Sequence, residues 1–137
     1  KKDQRSERPA ELLDVFPTLL ELAGLPADST QEGQSLVPLM KDPKKEWPHP
    51  AITSFGLGNY SVRTTRYRFI QYFDGSRELY DLSKDPHEWK NLATDPKNKS
   101  IIEEHAAHLP KKQHPILPGR STGHAAYGAA NANIKKD

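Results

Sequence analysis

Glu78-Leu79-Tyr80-Asp81-Leu82-Ser83-Lys84-Asp85-Pro86-His87-Glu88-Trp89-Lys90-Asn91-Leu92-Ala93 is the stretch on which the reading of this chain turns. It begins as a strand, because Leu79 and Tyr80 suit a pleated, half-buried surface. Asp85-Pro86 starts a turn: the Asp carboxylate accepts from backbone two residues on, and Pro presets φ. Trp89 and Leu92 then stand where they can fold back as apolar anchors. By its residues alone, the stretch is a strand followed by a tethered loop.

Upstream, Asp74-Gly75 is a hairpin signal suited to positive φ at both turn positions. It joins a strand over residues 67–73 to one over 77–81. Two further strands are expected over residues 51–55 and 60–65. Before them, Leu12, Val15, Phe16, Leu19, Leu22 and Ala23 recur at helical spacing. Pro17 fits a helix over about 14–23 if Asp14 is the N-cap, since Pro17 then falls in the first turn, where N–H groups lack helical acceptors. Gly24 and Pro26 stop that helix. Residues 35–40 read as one helical turn. Residues 41–50, with three prolines and Trp47, read as a connecting loop. Downstream, residues 98–109 make a short helix with Ile101, Ile102, His105 and Leu109 on one side. Residues 111–137 read as an irregular tail. The expected class is α+β: a small four-stranded antiparallel sheet with flanking helices.

Composition narrows the function. The chain has 137 residues, 34% of them hydrophobic, and a formal net charge of +2. Near balance gives no electrostatic case for nucleic acid. Mean hydropathy of −0.84 implies a modest core. With no cysteine, disulfides and thiolate metal sites are excluded. No apolar run approaches the ~20 residues that span a bilayer, so no membrane partner is expected. The opening Lys1-Lys2-Asp3-Gln4-Arg5-Ser6-Glu7-Arg8 has neither Met nor a signal-peptide core, and reads as an internal start.

Residues 78–93 also resemble the E-L-Y-D-L-x-x-D-P-x-E-x-x-N-L-A signature near the C-terminus of sulfatases. Residues 9–24, from Pro9-Ala10-Glu11-Leu12 to Leu22-Ala23-Gly24, resemble that family's P-x-E-L-x-D-x-x-P-T-L-x-x-L-A-G helix. Gly33-Gln34-Ser35-Leu36-Val37-Pro38-Leu39 is similar to its G-x-S-L-x-P-L-L segment. Tyr60 to Ile70 is similar to its strand pair around S-V-R-T. Four motifs in order cover residues 9–93. The stretches 59–70 and 74–93 lean toward the iduronate-2-sulfatase-like branch of this alkaline-phosphatase-like superfamily.

The resemblance implies a division of the chain. Residues 1–45 would end the large α/β catalytic domain and its connecting loop. Residues 46–110 would form the C-terminal antiparallel-sheet subdomain, and 111–137 the tail. It implies hydrolysis of a sulfate ester, of a sulfated sugar as first choice, with formylglycine as nucleophile and calcium balancing the sulfate charge. It places the intact protein in the periplasm, a lysosome-type compartment or outside the cell. Within this chain no serine begins S-x-P-x-R, and no family catalytic residue maps onto a matching position. The chain alone is therefore expected to be inactive and to bind no cofactor, with the catalytic N-terminal part of the same protein as its partner. Two other readings stand beside this one: a phosphonate or phosphodiester hydrolase of the same superfamily, and a non-catalytic module that binds a partner or a glycan.

The candidate substrate-binding residues are Asn59, Tyr60 and Arg63. Asn59 and Tyr60 follow the flexible Gly56-Leu57-Gly58, where a loop could reach a cleft; packed turn residues are the plainer reading. Arg63 is suited to bidentate contact with a carboxylate or sulfate. It either meets an anionic substrate or, as favoured, pairs with an acid of the neighbouring domain, while Arg66 and Arg68 are solvated. Asp81 and Asp85 read as turn caps rather than metal ligands. His105 and His108 share a spacing that can chelate metal but lack a third ligand nearby, and read as an exposed helix face. His49 reads as a loop residue, and Trp47 and Trp89 as packing anchors.

Overall fold

The computed structural model describes residues 3–112. Four strands, β1 (Ala51–Ser54), β2 (Tyr60–Arg63), β3 (Tyr67–Gln71) and β4 (Arg77–Asp81), form one antiparallel sheet in the order β1-β2-β3-β4. Side chains alternate between faces along each strand. Val62 opposes Phe69, and Phe69 opposes Leu79, so three apolar side chains line up on one face. All three are fully buried. Helix α3 (Lys99–Ala106) covers them with Ile102, and Tyr67, Leu92, Ala93, Ile101, Ala106 and Leu109 ring the cluster. Each such aliphatic or aromatic side chain is worth about 1.5–3 kcal/mol when fully buried. The sheet with flanking helices is the α+β arrangement expected.

The N-terminal elements are a 3-10 turn (Leu12–Asp14), α1 (Val15–Leu22) and α2 (Val37–Lys41). Pro17 is the third residue of α1, inside the first turn, where the missing N–H costs nothing. Asp14 does not cap α1 as the sequence suggested. The 3-10 turn runs straight into the helix, so Val15 N–H already donates to Leu12 O. The Asp14 carboxylate instead accepts from Glu11 N at 2.9 Å and Gln34 N at 2.8 Å. At the other end Leu25 N donates to Leu20 O and Gly24 N to Glu21 O, with Gly24 at φ +69. That paired closure needs the left-handed residue that glycine supplies.

Within α1 only Thr18 is buried. Its hydroxyl donates to Asp14 O and accepts from Leu36 N at 2.8 Å, tying α1 to the start of α2. Leu12, Leu13, Phe16, Leu19 and Leu22 are all more than half exposed. The helix thus buries Thr18 and exposes Val15, Phe16, Leu19 and Leu22. It is joined to the sheet by polar staples. Glu11 Oε2 accepts Ile52 N at 2.7 Å on the outer edge of β1. Arg8 donates to the carbonyls of Lys44 and Lys45 at 2.9 and 3.0 Å.

Three local expectations are corrected. The β3–β4 turn has positive φ at Gly75 only, not at both positions. Gly75 N donates to Tyr72 O and Tyr72 N to Ser76 O. The loop is therefore three residues, Phe73-Asp74-Gly75, with glycine in the left-handed position; Asp74 Oδ1 holds it through Ser76 N and Oγ. His105 is 2% exposed rather than solvated. It tolerates burial because Nδ1 meets Ile101 O at 2.7 Å and Nε2 meets Thr64 Oγ1 at 3.3 Å. Its ring stands edge-on to Tyr67. Trp89 is 84% exposed and anchors nothing, because Glu88 before it adopts φ +60 and turns the chain outward. Leu92 does fold back onto the core, and its N–H donates to Leu79 O at 2.8 Å. Of the expected tail over residues 111–137, everything after Lys112 lies outside the described residues.

Candidate functional site

Asn59 sits at the entry to β2 and is fully engaged by backbone. Its Nδ2 donates to Phe55 O at 3.0 Å and Leu57 O at 3.3 Å, and its Oδ1 accepts Phe73 N at 3.2 Å. It ties the Gly56-Leu57-Gly58 loop to the β3–β4 turn. Tyr60 is buried and lies on the same sheet face as Val62. It lines a cleft of about 380 Å³ beside β1, with Glu11, Leu13, Ile52, Ser54 and Leu57. Glu32 and Lys112 also reach that cleft; nothing in their local sequence marks them.

Arg63 is separated from this pair. Val62 faces the core, so Arg63 one residue on projects from the opposite face, and it is exposed. Its cross-strand neighbours are Ala51 and Arg68. The structure therefore brings Asn59 and Tyr60 together and places Arg63 elsewhere. Like charges directly opposite repel. Arg68 is relieved of this by Glu88, whose carboxylate lies 2.9 Å from its Nη1. Among the described residues no carboxylate forms an ion pair with Arg63, so its charge is left uncompensated on the outer sheet face.

The expectation that Arg66 and Arg68 are merely solvated does not hold. Arg66 donates Nη2 to Asp81 Oδ2 at 2.8 Å and Nε to Oδ1 at 3.2 Å. Its guanidinium also lies 4.8 Å from the centre of the Tyr67 ring. Asp81 keeps its expected turn-cap role as well, accepting Ser83 N at 3.2 Å and Oγ at 2.6 Å. These hydrogen bonds, Arg66 first, outweigh burial and hold the Asp81 carboxyl at about 2. Asp85 caps the next turn, taking Lys90 N at 2.8 Å. Asn91 Oδ1 accepts Leu79 N at 3.1 Å and Ala93 N at 2.9 Å, closing the loop back onto β4. On the outer face, burial and the hydrogen bond to Glu78 push the Tyr80 phenol up to about 12.

The polar residues of the opening stretch are thus joints of a scaffold. Asp81, Asp85, Glu88 and Asn91 each fasten backbone, an arginine or, for Asp81, the Ser83 hydroxyl as well. Among the described residues no three His, Asp or Glu side chains gather as metal ligands. No helix among them is long and apolar enough to cross a membrane.

Comparison with known proteins fits this picture. Residues 1–115 match the family model described as N-sulphoglucosamine sulphohydrolase, C-terminal. A sulfatase of Formosa agariphila is 44% identical over 110 residues, covering 80% of this chain and 22% of that protein. A Delta 4,5-hexuronate-2-O-sulfatase of Bacteroides thetaiotaomicron is 41% identical over 106 residues, covering 71% of this chain and 22% of that protein. The solved structure of a 2-O GAG sulfatase superposes with a TM-score of 0.58 at 36% identity, covering 69% of this chain and 22% of that one. The chain spans about a fifth of the length of the curated relatives it matches.

Proposed function

The chain belongs to the N-sulphoglucosamine sulphohydrolase C-terminal family, and from this premise we propose that it is the C-terminal portion of a sulfatase acting on a sulfated sugar. The observation that carries the reading is the 41% identity over 106 residues with a Delta 4,5-hexuronate-2-O-sulfatase. A 2-O-sulfated hexuronate residue is accordingly the substrate class proposed, in keeping with the lean toward the iduronate-2-sulfatase-like branch.

The portion described completes the fold and borders the substrate entrance. Residues 1–45 close the large catalytic domain and 46–110 form the subdomain at its rim. The apolar face of α1 supports this division: Leu12, Phe16, Leu19 and Leu22 are exposed, and such a surface is stable in water only when covered. Its occupant is the larger N-terminal part of the same protein. Formylglycine and calcium belong to that part; no residue of this chain supplies a nucleophile. Asn59 and Tyr60 shape the rim beside the β1 cleft, and Arg63 meets an acid of the catalytic part or the anionic substrate. Such enzymes work in the periplasm, in a lysosome-type compartment or outside the cell.

The test is turnover by the full-length protein. A 2-O-sulfated unsaturated hexuronate disaccharide should release sulfate, an aryl phosphonate monoester should be a much poorer substrate, and residues 1–137 alone should release nothing. Preference for the phosphonate would replace this reading with the phosphonate hydrolase one. Turnover by residues 1–137 that survives repurification would refute the assignment of the chemistry to the larger part.

A further inference from the structure

The loop after β4 carries a feature that the scaffold does not need. His87 and Trp89 stack with ring centroids 5.1 Å apart and planes 20° apart, and Trp89 is 84% exposed. A lone exposed aromatic would be unremarked. This pair is instead held in place by three devices. Asp85 takes Lys90 N at 2.8 Å, fixing the turn around it. Glu88, between the two rings, adopts φ +60, a conformation costing about 1–3 kcal/mol outside glycine. Its carboxylate is in turn fastened to Arg68 Nη1 at 2.9 Å. Ordering energy is thus stored where it orients an aromatic face toward solvent.

The pair lies on the sheet edge away from the staple that ties α1 to the sheet. α1 is stapled to β1 through Glu11 and Ile52. The 82–92 loop runs off β4, the opposite edge of the sheet. Those edges lie three strand spacings apart, roughly 14 Å. Exposed Lys84 and Lys90 flank the loop, while its acids are engaged by backbone or by Arg68. Its free groups are therefore a flat aromatic face with cations beside it.

We propose that the His87–Trp89 stack is a sugar-binding platform that holds a further residue of an anionic, sulfated oligosaccharide; this role rests on the proposed sulfated-sugar substrate. The axial C–H bonds of a pyranose ring present an apolar, positive-edged face that complements the negative face of the indole. The lysines meet its sulfate or carboxylate groups. Binding there would raise affinity for polymer over monomeric substrate.

The experiment uses the full-length protein, a sulfated heparin oligosaccharide and a 2-O-sulfated disaccharide. Trp89→Ala should leave disaccharide turnover unchanged and raise KM for the oligosaccharide roughly five- to tenfold, as for loss of one aromatic contact. Trp89→Phe should recover most of the difference. Unchanged oligosaccharide KM in a Trp89→Ala protein with normal disaccharide turnover overturns the platform. So does a Trp89 signal, taken as the difference between wild type and Trp89→Phe, that acrylamide cannot quench, since it would place the ring in an internal contact. If the wild type cleaves neither sulfate ester, the proposed activity fails by itself. The same difference fluorescence, titrated with the heparin oligosaccharide, then decides the platform: saturable quenching upholds it and none refutes it.

Discussion

Arg66 grips Asp81 with both Nη2, to Oδ2 at 2.8 Å, and Nε, to Oδ1 at 3.2 Å and Oδ2 at 3.3 Å, and so locks the β2–β3 turn to the end of β4. The same carboxylate caps the following turn through Ser83. Leu82 N–H adds a backbone bond to Arg66 O at 2.8 Å. One buried acid therefore fastens two loops that are separate in sequence.

Asp81→Asn should lower the stability of the full-length protein by about 1–3 kcal/mol, since charge-assisted bonds are lost and a buried group is left partly unmatched. The pH dependence has a definite sign. The folded carboxyl titrates at about 2 and the unfolded one at about 3.9. The stabilisation is complete above the unfolded value and disappears as pH falls through the folded value. Thermal melts of wild type and Asp81→Asn should converge between about pH 4 and pH 2. A constant gap across that window would mean that the Arg66 pair contributes nothing.

Gly33 makes a second point by shape alone. A Cβ built on it would collide with Leu13 O. The clash is with backbone of the 3-10 turn, which cannot swing aside as a side chain can. Gly33→Ala should therefore cost about 3 kcal/mol or more. Gly24→Ala meets no atom but forces a side chain onto φ +69, and should cost about 1–2 kcal/mol. Urea midpoints of the two variants give the order directly.

The strands were legible because their alternation is strict: Val62, Phe69 and Leu79 mark one face without tertiary information. The α1 closure was legible for the same local reason, Gly24 followed by Pro26. What escaped were long-range partners. His105 is buried because its Nε2 finds the Thr64 hydroxyl, 41 residues away. Arg66 and Arg68 find acids 15 and 20 residues downstream, beyond any periodic signal. The hairpin type escaped because Asp74-Gly75 does not say whether Phe73 belongs to the strand. Trp89 was misread because hydrophobicity suggests burial, while the outward turn depends on one backbone angle at Glu88. Of the candidate site, the two faces were predictable for Val62 and Arg63. The separation of Arg63 from Tyr60 follows from the same alternation.

The exposed face of α1 predicts the behaviour of residues 1–137 on their own. Leu12 is 90% exposed and Leu19 and Leu22 are more than half exposed. The isolated chain should bind a hydrophobic dye and self-associate at high concentration. Leu19→Lys with Leu22→Glu should reduce both effects without unfolding it, because neither side chain is part of the buried cluster. Sedimentation at rising concentration distinguishes the outcomes, and a monomeric wild-type chain that ignores the dye would remove the argument for a covered surface.

Arg63 offers the sharpest separation between structure and substrate. It projects from the face opposite Val62, opposite Arg68 across the strand pair, and Arg68 is already matched by Glu88. An uncompensated guanidinium beside another arginine calls for an anion, which is an acid of the catalytic part or the substrate itself. A lysine keeps the charge but cannot reproduce the planar fork. In the full-length protein Arg63→Lys should therefore lower the melting temperature and leave KM nearly unchanged if the anion is structural, the outcome favoured here. If the anion is substrate, the melting temperature stays and KM rises about tenfold, equivalent to about 1.4 kcal/mol of binding. Measuring both quantities on one variant assigns the residue, because each role moves one of them and spares the other.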